Sequence, residues 1–188
     1  MRISSKAGAL VVVLAATLAI AGCVQPPPQV IPTAQPSSKP VFKTDAAALA
    51  AAKKAYLAYD AISDAVAQDG GTDPARFAAV VTKSWLPNEL ASAHKLASTG
   101  RKQEGATRVE GLRLEQRSED GRIAKVSVYA CLDFSAVRYV DSKTGLHPSQ
   151  SPLSPVPVEV DFASDEAAPR TLLVERITPW QGTDFCLQ

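Results

Sequence analysis

Two aspartates are the side chains of this sequence best suited to act as a general base. Asp133 and Asp161 both fall in segments with the pattern of β-strands. A carboxylate withdrawn from water has a raised pKa, which would suit it to remove a proton from a bound substrate. However, the register of Asp161 places it on the outward face, and Asp133 stands where a strand end bonds to a turn. We therefore expect structural roles for both.

The other residue types that carry catalysis or bind metals are isolated. His94 and His147 each lack a second ligand residue one helical turn away, so neither predicts a metal site. No G-x-S-x-G motif is present. Gly100 and Gly105 have the spacing of a phosphate-binding loop, but Ala106-Thr107 stands where that loop requires Lys followed by Ser or Thr. The sequence predicts no catalytic residue, no metal and no cofactor.

The composition is that of one globular domain with mixed charge. The chain has 188 residues, 46% of them hydrophobic, and its 20 Lys and Arg are offset by 19 Asp and Glu. This apolar content can form a core and excludes global disorder. A net charge of +1 provides no general attraction to nucleic acid, so no nucleic-acid partner is expected.

Residues 1–22 have the pattern of a secretory signal peptide. Arg2 and Lys6 precede an apolar stretch over residues 7–20, and small residues follow it. The stretch is shorter than the roughly 20 residues that a membrane-spanning helix needs. An uncleaved membrane anchor is the alternative interpretation.

The end of this segment, Ile20-Ala21-Gly22-Cys23, resembles a bacterial lipobox, with Ile20 where Leu is usual. The resemblance implies that the Cys23 thiol carries a diacylglyceryl group and that Cys23 becomes the first mature residue. The protein would then be held at the outer face of the bacterial cytoplasmic membrane, outside the cytoplasm, because two acyl chains give stable anchoring. The alternative is an ordinary cleavage that leaves Cys23 as a free thiol.

Residues 23–40 are predicted to join the lipidated cysteine to a folded domain. Six prolines lie within residues 24–40, which excludes a helix or a central strand. An extended polyproline-like segment of this length reaches up to about 50 Å. We interpret it as a spacer; a proline-rich ligand for a partner protein is the alternative.

Residues 41–188 predict helices first and strands afterwards. Apolar residues recur at helical spacing from Thr44 or Asp45 to about Gln68. Asp73-Pro74 and Leu86-Pro87 are expected to start two shorter helices. The period then changes to two in segments from Thr107 onward, which is typical of strands. Helices segregated before a meander of strands predict an α+β domain.

The predicted location outside the cytoplasm also bears on how the three cysteines pair. If Cys23 carries lipid, an even pair remains, Cys131 and Cys186, in an oxidising compartment. We expect a disulfide that ties the C-terminal tail to a strand. Two buried free thiols are the alternative.

Several motifs resemble small lipid-anchored or secreted actinobacterial proteins of the nuclear transport factor 2-like, cystatin-like kind. They are AAKKAYLAYDAI at 51–62, GGTD at 70–73, CLDFS at 131–135, DSKTG at 141–145 and WQGTDFC at 180–186. The resemblance implies a cone, in which a long N-terminal helix and two short ones pack in a curved antiparallel sheet. It also implies an interior cavity, which Tyr56, Tyr59, Trp85 and Asp133 could line, and it allows a homodimer through the open face of the sheet.

Two functions remain open from the sequence. The favoured one is a non-enzymatic binding or accessory module of the bacterial cell envelope, whose partner is an envelope protein or a small apolar ligand. The alternative is a small surface-displayed cavity enzyme of the ketosteroid-isomerase or polyketide-cyclase type. An open apolar pocket with an inward carboxylate would favour the enzyme, whereas a filled cavity would favour the module. The Ser- and Pro-rich loop 142–155 is interpreted as disordered, with partner contact as the alternative.

Overall fold

The fold was analysed in a computed structural model that describes residues 39–120, 122–145 and 155–186. Residues 1–38, His147 and most of the loop 142–155 lie outside the described residues. The signal peptide, the lipidation of Cys23 and the spacer therefore stay predictions.

Helices precede antiparallel strands in the described part of the chain, which confirms the α+β class. The helices are α1 (Asp45–Gln68), a 3-10 helix (Pro74–Ala79) and α2 (Leu86–Ser98). The strands are β1 (Arg101–Glu104), β2 (Arg108–Asp120), β3 (Ile123–Asp133), β4 (Arg138–Asp141), β5 (Val156–Ser164) and β6 (Leu172–Pro179).

The helix α1 begins and ends where the sequence predicts. Thr44 is its N-cap, and its Oγ1 accepts a hydrogen bond of 3.1 Å from the Ala47 amide. One face of the helix is buried, and it carries Ala48, Ala52, Tyr56, Tyr59, Asp64 and Val66. Asp64 is the member that apolar periodicity does not reveal.

The second and third helices differ in detail from the prediction. Asp73 was expected to cap a helix, but it has a left-handed φ of 47° and makes no side-chain cap bond, and a 3-10 helix follows it. Arg76 binds back to Asp69 at 2.7 Å and holds this tight turn. In α2 the spacing of apolar residues predicts Leu90, Ala93 and Ala97 on the inner face. Ala93 is buried, but Ala97 is exposed and Glu89 is buried beside Ala93, so this prediction was wrong by part of a turn.

A four-stranded antiparallel sheet of order β2-β3-β5-β6 covers the buried face of α1. The four β3 residues predicted to face inward, Val126, Val128, Ala130 and Leu132, are all buried. Ser127 and Cys131 of the opposite face are buried as well, so burial along β3 does not alternate strictly. Val128 lies opposite Val160 on β5, and Phe162 adds the largest apolar side chain from that strand. Side chains of the helix and the sheet together form the core.

A separate two-stranded ribbon pairs β1 with β4 in antiparallel register. The sequence did not predict β1, whose four residues are Arg101, Lys102, Gln103 and Glu104. The hairpin turn between β2 and β3 is also later than expected, because Glu119 and Asp120 still pair, with Ala124 and Ile123.

The outer face of β3 is covered by the C-terminal tail. The Cys131 and Cys186 sulfur atoms lie 2.08 Å apart, which confirms the predicted disulfide pair. The Trp180 and Phe185 rings pack on Tyr129, with ring centroids 4.9 Å and 5.5 Å from the Tyr129 ring. The disulfide and the aromatic contacts together tie the tail to the sheet.

Candidate functional site

A cleft of about 410 Å³ opens between the C-terminal half of α1, the helix α2 and the strand β1. We refer to it as the α1–α2 cleft. Its walls are mostly apolar, and its volume lies in the range of small-molecule sites. The lining residues are Ser63, Val66, Ala67, Phe77, Glu89, Ser92, Ala93, Lys95, Leu96, Thr99, Arg101 and Tyr139.

Glu89 is the buried charge of this cleft. It is only 8% exposed, although it lies in the first turn of α2. Its Oε1 atom accepts hydrogen bonds from the Tyr59 hydroxyl at 3.0 Å and from the Trp85 Nε1 at 2.7 Å. These two donors fix the rotamer of the carboxylate, and the acidic group also suits a helix N-terminus.

The second oxygen of Glu89 is accessible. Oε2 has no hydrogen-bond partner within the described residues, where every fully buried side-chain oxygen does have a partner. Oε2 is therefore not fully buried. Glu89 is also one of the residues that line the α1–α2 cleft. A ligand in the cleft would meet an anionic acceptor that is already oriented.

Tyr59 serves as a permanent donor to this carboxylate. Burial raises the pKa of its hydroxyl far above the usual value, and the neighbouring Glu89 charge raises it further. Burial likewise raises the pKa of Tyr56, with Asp60 and Glu89 adding to the effect. Both phenols thus stay protonated at neutral pH, and neither can act as a proton shuttle there.

The residues expected to line an interior cavity are distributed over two places. Tyr56 and Tyr59 are buried in the core, 5.7 Å apart between ring centroids, and Tyr59 also packs on Phe77. Trp85 is half-buried at the start of α2 and meets Tyr59 through Glu89. Asp133 lies at the end of β3 and is not a lining residue of the α1–α2 cleft.

Asp133 and Asp161 are both held by arginines. Asp133 accepts hydrogen bonds from the Ser135 amide at 2.8 Å and from the guanidinium of Arg108. The amide, and then Arg108, lowers the pKa of Asp133 to about 2, so it stays ionised and is a weak base. Asp161 accepts from Ser127 at 2.6 Å and from Arg176 at 2.9 Å on the outer face of the sheet.

Asp64 is a second buried carboxylate that apolar periodicity missed. It accepts hydrogen bonds from the Gln103 side chain at 2.6 Å and from the Thr107 amide and hydroxyl at 3.0 and 3.1 Å. Gln103 lies on β1, and Thr107 directly precedes β2. Asp64 thereby joins α1 to the strand that forms one wall of the cleft.

We expect Asp64→Ala to lower the free energy of unfolding by about 3 kcal/mol, because the Thr107 amide loses its acceptor and Gln103 keeps only its bond of 3.3 Å to the Gly105 carbonyl. Equilibrium unfolding in urea measures the change. Asp69→Ala is the matched control; it removes only an exposed pair with Arg76 and should cost less than about 1 kcal/mol. Equal losses in the two variants would contradict the structural role of Asp64.

Asp60 predicts a pH dependence of stability. Burial, and then the charge of Asp64, raises the pKa of Asp60 from 3.8 to about 6. A raised carboxyl pKa means that Asp60 ionises less readily in the folded state than in the unfolded state. Its contribution to the free energy of unfolding is therefore highest below pH 4 and is lost as the pH rises to about 6. Because Asp60 is only half-buried, the loss at neutral pH is about 1 to 2 kcal/mol. Asp60→Asn should recover it at pH 7 and change little at pH 3.5; a gain at both pH values would contradict the assignment.

Other features of the described residues carry no site. They contain no group of three or more His, Cys, Asp or Glu side chains arranged to hold a metal ion. His94 is exposed on α2. Within residues 39–120, 122–145 and 155–186, no helix has the length and apolar character to cross a bilayer.

Comparisons with known proteins address the fold alone. No protein-family model matches the chain, and a search of curated proteins found no significant match. Among solved structures, the chain is similar to the crystal structure of the intermembrane space region of the chloroplast protein ARC6. The match has a TM-score of 0.50 at 10% identity and covers 71% of this chain and 97% of the other. The likeness therefore places this chain beside that region in fold, and it does not extend to function.

Proposed function

We propose that the protein is a lipid-anchored, non-enzymatic binding module of the bacterial cell envelope and that the α1–α2 cleft is its binding site. The observation that carries the proposal is the filled space between α1 and the sheet, where Tyr56, Val128 and Phe162 form the core and leave the cleft of about 410 Å³ at the surface as the place for a ligand. The cleft lies on a domain that the sequence predicts to be outside the cell, at the end of a proline-rich spacer.

Two features support binding over catalysis. Asp133 and Asp161 are paired with arginines, which removes the two bases that the sequence offered. Tyr59 stays protonated and is therefore a fixed donor. The Cys131–Cys186 pair supports another part of the proposal, the oxidising, extracytoplasmic compartment.

The finer form of the fold belongs to the same proposal. We infer a nuclear transport factor 2-like, cystatin-like cone, because a long helix packs on an antiparallel sheet and because several sequence motifs resemble those of that family. In this arrangement the core side chains Tyr56, Val128 and Phe162 occupy the space between helix and sheet. A homodimer through the open face of the sheet stays a prediction.

In-cell photo-cross-linking tests the binding site. A cross-linking residue at Ser92, which lines the cleft, should capture a small molecule or an envelope protein, whereas one at Lys54, exposed on α1, should not. Capture at Ser92 should fall in a Glu89→Gln variant. Equal capture at both positions, or none at Ser92, would contradict the proposal.

A small cavity enzyme is the second candidate, and Glu89 is the observation that favours it. A carboxylate in an apolar cleft is the arrangement expected of a general base in such enzymes. In that case the captured small molecule would be converted by the purified protein, and Glu89→Gln would abolish the conversion. Recovery of the captured molecule unchanged would support the binding module instead.

A further inference from the structure

Side chains of both charges line the α1–α2 cleft: Glu89 is acidic, and Lys95 and Arg101 are basic. Glu89 is only 8% exposed, and its Oε1 is already held by Tyr59 and Trp85. An anion in an apolar cleft binds most strongly to a group that brings both a positive charge and an N–H donor. Glu89 therefore selects an ammonium or a similar cation.

Two basic side chains of the cleft are available to a ligand. Lys95 and Arg101 both line the cleft, both are exposed, and neither forms an ion pair within the described residues. Lys95 follows Glu89 by six residues on α2, which corresponds to about 9 Å along the helix axis. Lys95 and Arg101 would bind a carboxylate and repel a ligand that is only cationic.

Apolar side chains line the same cleft as these charged groups. Val66 of α1 and Phe77 of the 3-10 helix form one side of the cleft, and Ala93 and Leu96 of α2 form the other. A ligand that spans the cleft would bury an apolar body against these walls.

We propose that the cleft binds an amphipathic zwitterion, with an ammonium on Glu89, an apolar spacer along the walls, and a carboxylate at Lys95 and Arg101. The inference rests on the cleft being the binding site proposed above, and it adds the chemical class of the ligand. The ammonium would donate a further hydrogen bond to the Glu89 carboxylate, in addition to those from Tyr59 and Trp85.

The test compares three probes of equal chain length on the full lipidated protein: ω-aminohexanoate, hexylamine and hexanoate. Isothermal titration calorimetry should give ω-aminohexanoate an affinity at least about tenfold above either single-charge probe. The NMR signals of Ala93 and Leu96 should shift with this probe.

Matched variants assign the two ends. Glu89→Gln should weaken the binding of ω-aminohexanoate about tenfold or more and leave the binding of hexanoate unreduced. Arg101→Gln should remove the higher affinity of ω-aminohexanoate relative to hexylamine. The controls are Glu110→Gln, exposed on β2, and Lys102→Gln, whose side chain alternates to the other face of β1. Both should bind like wild type. Tyr59→Phe keeps the Glu89 charge and should retain a clear preference for ω-aminohexanoate.

Equal affinities for the three probes, or unchanged binding of ω-aminohexanoate to Glu89→Gln, would overturn the proposal that the ligand is a zwitterion. The binding module itself would still stand if the cross-linker at Ser92 captured a ligand without two charged ends. Absence of capture at Ser92, together with tight binding of ω-aminohexanoate, would instead support the ligand chemistry and reject the proposed cellular role.

Discussion

Replacing Cys131 and Cys186 together by alanine should lower the free energy of unfolding by about 4 kcal/mol. The disulfide links residues separated by 55 positions, and a cross-link that closes a loop of this length restricts the unfolded chain strongly. Its loss would also loosen the end of the tail, because Phe185 packs on the sheet through Tyr129 and the cation–π contact with Arg113. Trp180 would lose its contact with Phe185 but keep the backbone hydrogen bond of its amide to the Pro157 carbonyl.

Urea unfolding of the double variant, beside wild type with and without reductant, measures this effect. Reduced wild type should resemble the variant, and the near-ultraviolet signal of Trp180 should weaken in both. A loss below about 1 kcal/mol would show that the tail contacts alone hold the C-terminus.

Gly71→Ala should be nearly as damaging, with an expected loss of about 4 kcal/mol. Gly71 has a φ of +83°, and a Cβ there would lie 2.2 Å from the Ala93 carbonyl oxygen and 3.0 Å from the Ala97 amide. Both neighbours are backbone atoms of α2, so the helix must move away from the turn after α1. Because Ala93 also lines the α1–α2 cleft, ligand binding should weaken as well.

Gly100→Ala is the control for Gly71→Ala. Gly100 has a similar φ of +66°, but no atom of the described residues lies within 4 Å of the position that a Cβ would take there. It should lose only the roughly 1 kcal/mol that a left-handed conformation costs an alanine. Similar losses at both positions, measured by urea unfolding, would contradict the close approach of α2 to Gly71.

The elements that the sequence predicts correctly are those whose signal lies in the local spacing of apolar residues. The 3.6-residue period marks α1, and the alternation in β3 marks its inner face, because both depend on local apolar spacing. The strand β1 contains only Arg101, Lys102, Gln103 and Glu104, and its pairing with β4 depends on tertiary context.

The candidate site was harder to predict than the fold. In α2, apolar residues allow an inner face with Leu86 and Leu96 or one with Leu90 and Ala97. The sequence alone therefore does not determine how the helix is rotated about its axis. Burial of Glu89 depends on donors from Tyr59, 30 residues earlier, and from Trp85 one turn before. The pair Trp85 and Glu89, four residues apart on one helix face, was the local signal that could have revealed it.

Asp133 shows the opposite case, in which a local pattern was sufficient. Its position at the end of a strand, two residues before Ser135, already indicates a hydrogen bond to the turn, and the Ser135 amide donates to it at 2.8 Å. Arg108 on the neighbouring strand is the partner that required the sheet register.

The most direct test of a lipid-anchored module is the intact mass of the protein purified from its native membrane. We predict a chain that begins at Cys23 and carries a diacylglyceryl group on that thiol, with Cys131 and Cys186 oxidised. A chain that retains residues before Cys23, with an unmodified thiol and both other cysteines reduced, would contradict a lipid-anchored module outside the cytoplasm.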